Sequence, residues 1–128
     1  NFSNRMDSLW KGGPGAELAF KWKGSAAKIY DLLGPDCGSI EIKVDGKVTK
    51  SRRIDGYCTY NRLGMTTLAV GLDETQIHEV SVKVLDEKIE KEKILFEQNR
   101  ADLAKNPTKY EGLFWYAGAI FLVGEWIP

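Results

Sequence analysis

His78 is the only histidine among 128 residues, so any hydrolytic Ser-His-Asp arrangement in this chain would have to use it. It opens an alternating stretch directly after a turn, and no Gly-x-Ser-x-Gly elbow accompanies it. The role this supports is a strand-edge histidine bonded to a neighbouring backbone group. Cys37 and Cys58 allow one disulfide or two thiols, without the Cys-x-x-Cys spacing used in zinc and redox sites. Asp31 and Asp36 lie around the turn-rich segment Gly34-Pro35-Asp36-Cys37-Gly38 and would offer calcium oxygens, but the acidic density falls below that of a dedicated loop. No phosphate-cradling Gly-x-Gly-x-x-Gly or Walker pattern occurs. The expectation is no catalytic residue, no metal centre and no cofactor, with a structural calcium as the single candidate ion.

Tyr57-Cys58-Thr59-Tyr60-Asn61-Arg62, taken with Trp115 and Tyr116, does point to a ligand. In a strand, Tyr60 and Arg62 project from one face, because residues two apart point the same way. Aromatic rings stack on the C–H faces of a sugar, and a guanidinium fork donates to hydroxyl oxygens or a carboxylate. Asp31, Asp36, Tyr60, Arg62, Trp115 and Tyr116 are therefore the candidate ligand-binding residues, provided that the loop and both segments converge. A second reading stays open, since aromatics in a small domain are core by default and an arginine can pair with Asp31 or Asp36 simply to hold a loop. The two readings separate on whether Tyr60, Trp115 and Tyr116 line an open concavity or are enclosed.

These side chains need a frame. The length suits one domain with one sizeable core. Eighteen Lys and Arg balance eighteen Asp and Glu, so no global field draws the chain to nucleic acid or anionic lipid. The hydrophobic share of 43% and charged share of 28% are those of a globular chain, not a disordered one. The longest apolar run, 113–123, is far short of the roughly twenty residues of a membrane span, so it reads as a core strand. The chain opens on Asn1, not Met, and this suggests a piece of a longer precursor.

Residues 1–15 read as a lead-in whose Phe2, Met6, Leu9 and Trp10 are available to pack on a domain spanning 16–128. From there Leu18, Phe20 and Trp22 alternate with polar neighbours, and Gly24-Ser25 is expected to turn the chain. Residues 26–33 fit a strand or a helical turn, with the flanking turns favouring a strand. Ile40, Ile42 and Val44 share one face, and Asp45-Gly46 then predicts a type I′ hairpin into a return strand over 47–54. Lys47, Lys50, Arg52 and Arg53 read as its solvated face. Further strands are expected over 57–63 and 66–70, around Gly64, and over 77–85, with Val80, Val82 and Val84 on one side. The charged stretch 86–110, with Glu87 four residues before Lys91, reads as a helical insertion ended by Asn106-Pro107. Two apolar stretches around Gly124 close the chain. Seven or eight short strands with one polar excursion predict an all-β fold, an antiparallel β-sandwich of the jelly-roll type.

Four segments carry a resemblance: AFKWKGSAAKIYDLLGPDCGSIEIKVDGK, RIDGYCTYNRL, GLDETQIHEVSVKVL and KYEGLFWYAGAIFLVGEWIP. Together they resemble the β-sandwich accessory domain of bacterial SGNH/GDSL-type hydrolases, a galactose-binding-like jelly roll, over residues 14–128. The resemblance implies a non-catalytic module of a secreted or periplasmic enzyme acting on ester-decorated glycans. Its implied partners are carbohydrate and a parent hydrolase domain in the same chain. The hydrolase's own serine and histidine motifs are missing here, so no catalytic residue is carried over. The alternative is a structural or interaction domain that only docks to its parent hydrolase.

Overall fold

The computed structural model describes residues 9–128. Seven strands are present among these: β1 (Trp10–Gly12), β2 (Glu17–Leu33), β3 (Ser39–Val44), β4 (Lys47–Arg52), β5 (Arg62–Ala69), β6 (Ile77–Val84) and β7 (Trp115–Ile127). All strand pairs are antiparallel, in the order β1-β7-β2-β6-β3-β4, with β5 also on β2. The fold is the expected all-β sandwich. Phe2 and Met6 lie outside the described residues. Trp10, assigned to the lead-in, instead starts an edge strand in register with Ala117.

β2 belongs to both layers. Its first half pairs with β6 and its second half with β5, while β7 runs along the other side of both. The change of layer falls at Gly24 and Ser25. These two residues do not turn the chain; Ser25 is one extra residue opposite β7, between the pairs Gly24↔Gly124 and Ala26↔Val123. The insertion shifts the inward set from Phe20 and Trp22 to Ala27, Ile29 and Asp31. Both glycines are required by proximity: a Cβ on Gly24 would stand 1.8 Å from the Val123 carbonyl oxygen, and one on Gly124 would stand 2.0 Å from that of Lys23. For the same reason Gly124 does not separate two strands but lies within one, at φ +131°.

The core between the layers is built from Phe20, Trp22, Ile29, Ile40, Ile42, Leu68, Val80, Val82, Val84 and Trp115. Its β3 and β6 members are those the alternation pointed to. Asp45 and Gly46 make the expected turn, with φ of 49° and 87° and Val44 opposite Lys47.

Two expected strands differ. Residues 57–61 are a turn, and a single strand, β5, starts at Arg62 and carries Gly64 inside it. The insertion holds only short helices, α1 (Lys91–Ile94) and α2 (Arg100–Lys105), linked and followed by 3-10 turns. Among the described residues, no helix is long and apolar enough to cross a membrane.

The β2–β3, β4–β5 and β6–β7 connections all leave the sandwich at one end, because Ile40 pairs with Val84 and Ser51 while Leu32 pairs with Leu63 and Tyr116. This end gathers the site candidates. Ile42 is buried at the centre of β3. Ile42→Ala should lower the free energy of unfolding by about 2 to 5 kcal/mol, measured by urea denaturation.

Candidate functional site

Asp31 stands on the inward face of β2 and is 1% exposed. Its Oδ2 accepts hydrogen bonds from Arg53 Nε at 2.8 Å, Thr66 Oγ1 at 2.9 Å and Trp115 Nε1 at 2.9 Å, and its Oδ1 accepts one from Arg53 Nη2 at 2.8 Å. Arg53 is itself 7% exposed, so it does not belong to a solvated strand face. Both charges are thus paired in bidentate geometry and further hydrogen-bonded, the condition under which a buried ion pair is tolerated. Asp31 and Trp115 are accordingly interior residues. Both Asp31 oxygens already accept hydrogen bonds from interior donors. The pairing of an arginine with Asp31 to hold a loop, left open above, is realised by Arg53: its backbone amide donates to Gly38 and its carbonyl accepts from Gly34.

The other four candidates stay closer to the surface. Asp36 accepts a hydrogen bond from the Tyr116 hydroxyl, and Tyr116 is half-buried. Burial, together with this bond, raises the Tyr116 pKa. Arg62 pairs with Asp55 and lies 5.3 Å over the Tyr57 ring. Tyr60 sits in the 57–61 turn, 62% exposed. The single-face pairing of Tyr60 with Arg62 is therefore corrected, since strand alternation does not apply to a turn. The aromatic test divides: Trp115 is sealed, Tyr116 is committed to Asp36, and Tyr60 is open.

Asp36 and Tyr60 line a shallow depression of about 440 Å³ together with Pro35, Asn61, Thr108, Lys109, Gly112 and Phe114. Three connections form it, and Lys91 ties two of them, β2–β3 and β6–β7. The Lys91 ammonium donates to the Pro35 carbonyl at 2.7 Å and the Gly112 carbonyl at 2.6 Å. This replaces the expected pair of Glu87 with Lys91; Glu87 instead meets Lys50 across the surface at 2.5 Å. Burial pulls the Lys91 pKa down. The Phe114 amide donates to the Asp36 carbonyl at 2.9 Å, and the Gly38 amide to the Phe114 carbonyl at 3.1 Å. Thr108, Lys109 and Phe114 carried no sequence signal, because only the meeting of two distant connections makes them neighbours.

The remaining reactive groups are structural. Cys37 and Cys58 are separate buried thiols, and burial pushes Cys37 up to about 12. Burial also raises Cys58, which bonds within the Asp55 turn. Neither is a ready thiolate. Among the described residues, no group of three His, Cys, Asp or Glu side chains is placed to hold a metal.

His78 lies at the opposite end of the sandwich. Its Nε2 is 2.8 Å from the Asp73 carbonyl and its Nδ1 is 2.5 Å from Asp45 Oδ2, so it clamps the hairpin turn to the β5–β6 connection. The backbone bond of the expected role is present. The Asp73 carbonyl first, and then the Asp45 carboxylate, favour the protonated ring against burial and raise its pKa. Burial opposes ionisation of Asp45, but the Glu79 amide and His78 outweigh it and lower that pKa.

No family model and no curated protein matches this sequence. Solved structures do match. A two-domain esterase (CEX) active on acetylated mannans, co-crystallised with mannopentaose, aligns at a TM-score of 0.60 and 13% identity, over 91% of this chain and 27% of that one. A family two carbohydrate esterase from Cellvibrio japonicus aligns at 0.60 and 13%, over 95% of this chain and 29% of that one. The chain thus spans less than a third of either esterase. At this identity the likeness is one of fold.

Two predictions follow from these contacts. Asp31→Ala should cost about 3 to 5 kcal/mol, because it strands the buried Arg53 cation. Asp31→Leu combined with Arg53→Met should recover part of that loss in urea denaturation. The His78 clamp has a defined pH window. Its histidine contribution is complete below about pH 6.5 and is lost as pH rises through the raised folded value, while the Asp45 contribution is present above about pH 3.8 and is lost as pH falls through the lowered one. Thermal midpoints should therefore fall as pH rises from about 6.5, and His78→Gln should flatten that decline.

Proposed function

We propose that this chain is a non-catalytic accessory module of a secreted or periplasmic carbohydrate esterase, and that it holds glycan beside the catalytic domain. The observation that carries this reading is the coverage: nearly all of this chain aligns with less than a third of each matched esterase. That is the relation of one domain to a longer enzyme. The position of His78 supports the non-catalytic part, since both ring nitrogens are occupied by Asp45 and Asp73 and no serine or cysteine is hydrogen-bonded to it among the described residues. The open Tyr60 ring beside the polar depression supports the glycan part.

A second reading, a module that only docks to its hydrolase domain, is favoured by one surface. On the outward side of β5, β2 and β7, Leu63, Met65 and Phe121 are exposed around Tyr30, and Val123 lies further along β7. The outward side of β3 and β6 carries Glu41, Lys43, Glu79 and Lys83 instead. Native electrophoresis through gels containing acetylated mannan or xylan separates the two readings. Retardation of the chain supports glycan binding; unretarded migration together with binding to the separately expressed esterase domain supports docking alone.

The isolated chain should show no turnover of nitrophenyl acetate above buffer, and any residual hydrolysis should be unaffected by His78→Ala. Turnover abolished by that substitution would overturn the non-catalytic assignment.

A further inference from the structure

We infer that the depression between the 34–38 turn, the 57–61 turn and residues 107–114 is a saccharide subsite for an uncharged, hydroxyl-rich chain, with Tyr60 as its platform and Asn61 and Thr108 as its hydrogen-bonding pair. This rests on the glycan-holding reading above and gives it a location and a ligand class.

Four observations lead there. The depression, at about 440 Å³, is within the usual range of small-ligand clefts, roughly 300 to 1,000 Å³. The part of its floor between the 34–38 turn and residues 112–114 is built before any ligand arrives, because Lys91 and the Asp36–Phe114 backbone bond fix these two connections to each other. A preformed floor spares the ligand the cost of ordering loops.

The polar lining is available on one side only. The Asn61 and Thr108 side chains are both exposed and make no side-chain hydrogen bond with the described residues; the Asn61 Oδ1 lies against Gly34, so an amide donor and a hydroxyl remain for a ligand. Among the described residues, Tyr60 is the most exposed of the large hydrophobic side chains, and it lies on the same rim. An open ring next to unpaired hydrogen-bonding groups matches a pyranose, which offers a C–H face and a hydroxyl edge.

The charges favour a neutral ligand. Lys109 is held by Asp102 at 2.7 Å, Arg62 by Asp55, and Lys11 sits 4.2 Å over the Phe114 ring. Asp36 is the lining carboxylate. Lys109, the cation of the lining, is committed to Asp102, and Asp36 would repel a sugar carboxylate.

The test is titration of the chain with neutral manno-, xylo- and cello-oligosaccharides and with oligogalacturonate, followed by calorimetry and amide chemical shifts. A neutral oligosaccharide should bind with a dissociation constant of roughly 0.1 to 1 mM and shift the amides of Tyr60, Asn61 and Thr108. Tyr60→Ala and the double variant Asn61→Ala/Thr108→Val should each weaken it at least fivefold without moving the unfolding midpoint, as these side chains are exposed. Trp126→Ala, an exposed ring at the opposite end of β7, should leave affinity unchanged. Neutral binding that survives both rim substitutions overturns the subsite and leaves the module reading intact. Stronger binding of oligogalacturonate overturns the ligand class. No binding of any glycan overturns the subsite and the glycan-holding reading together, leaving docking.

Discussion

One buried carboxylate organises the end of the sandwich where the candidate site lies. Asp31 collects donors from Arg53, Thr66 and Trp115, and so it joins β2 to β5, to β7 and to the segment after β4. Each of these partners begins or borders a connection that shapes the surface. Arg53 orders the 34–38 turn through its backbone, Trp115 starts the strand that follows the depression, and Thr66 sits in the strand entered from the 57–61 turn. In a low-dielectric interior such a network is stable only when complete, so the geometry of the exposed rim is inherited from an interaction that no ligand touches.

Lys91 extends the same logic one layer outward. An ammonium between two backbone carbonyls, with most of its water removed, fixes the 34–38 turn and Gly112 against the helical excursion. The surface reached in this way mixes rigid backbone with a few uncommitted side chains, and this division separates Asn61 and Thr108 from Tyr116, whose hydroxyl is already used by Asp36.

The regular parts of the fold were legible because alternation and turn chemistry are local. Ile40 and Ile42, the three valines of β6 and the Asp45-Gly46 turn all follow from neighbours a few residues away. Gly24-Ser25 misled for the opposite reason: a bulge and a turn use the same residues, and only the approach of Gly124, a hundred residues later, makes it a bulge. Arg53 looks solvated in sequence because the charge of its neighbours Lys50 and Arg52 is visible there, whereas its carboxylate partner on another strand is not. Two of the six site candidates, Asp31 and Trp115, turned out to hold the frame. Asp36 and Tyr60 line the depression, and the residues that complete it come from a stretch without periodicity.

β2 and β7 are the longest strands, and each runs through both layers. The register that joins them depends on pairing residues near 20 with residues near 125. Closing so long a loop is entropically slow, and local hairpins such as β3–β4 form without it. During synthesis the layer of β6, β3 and β4 can be assembled only on the first half of β2, with the other side of β2 unpaired until Trp115–Ile127 has left the ribosome. An open edge of that length is a template for other strands, so this part of the nascent chain is most exposed to misassociation just before β7 emerges.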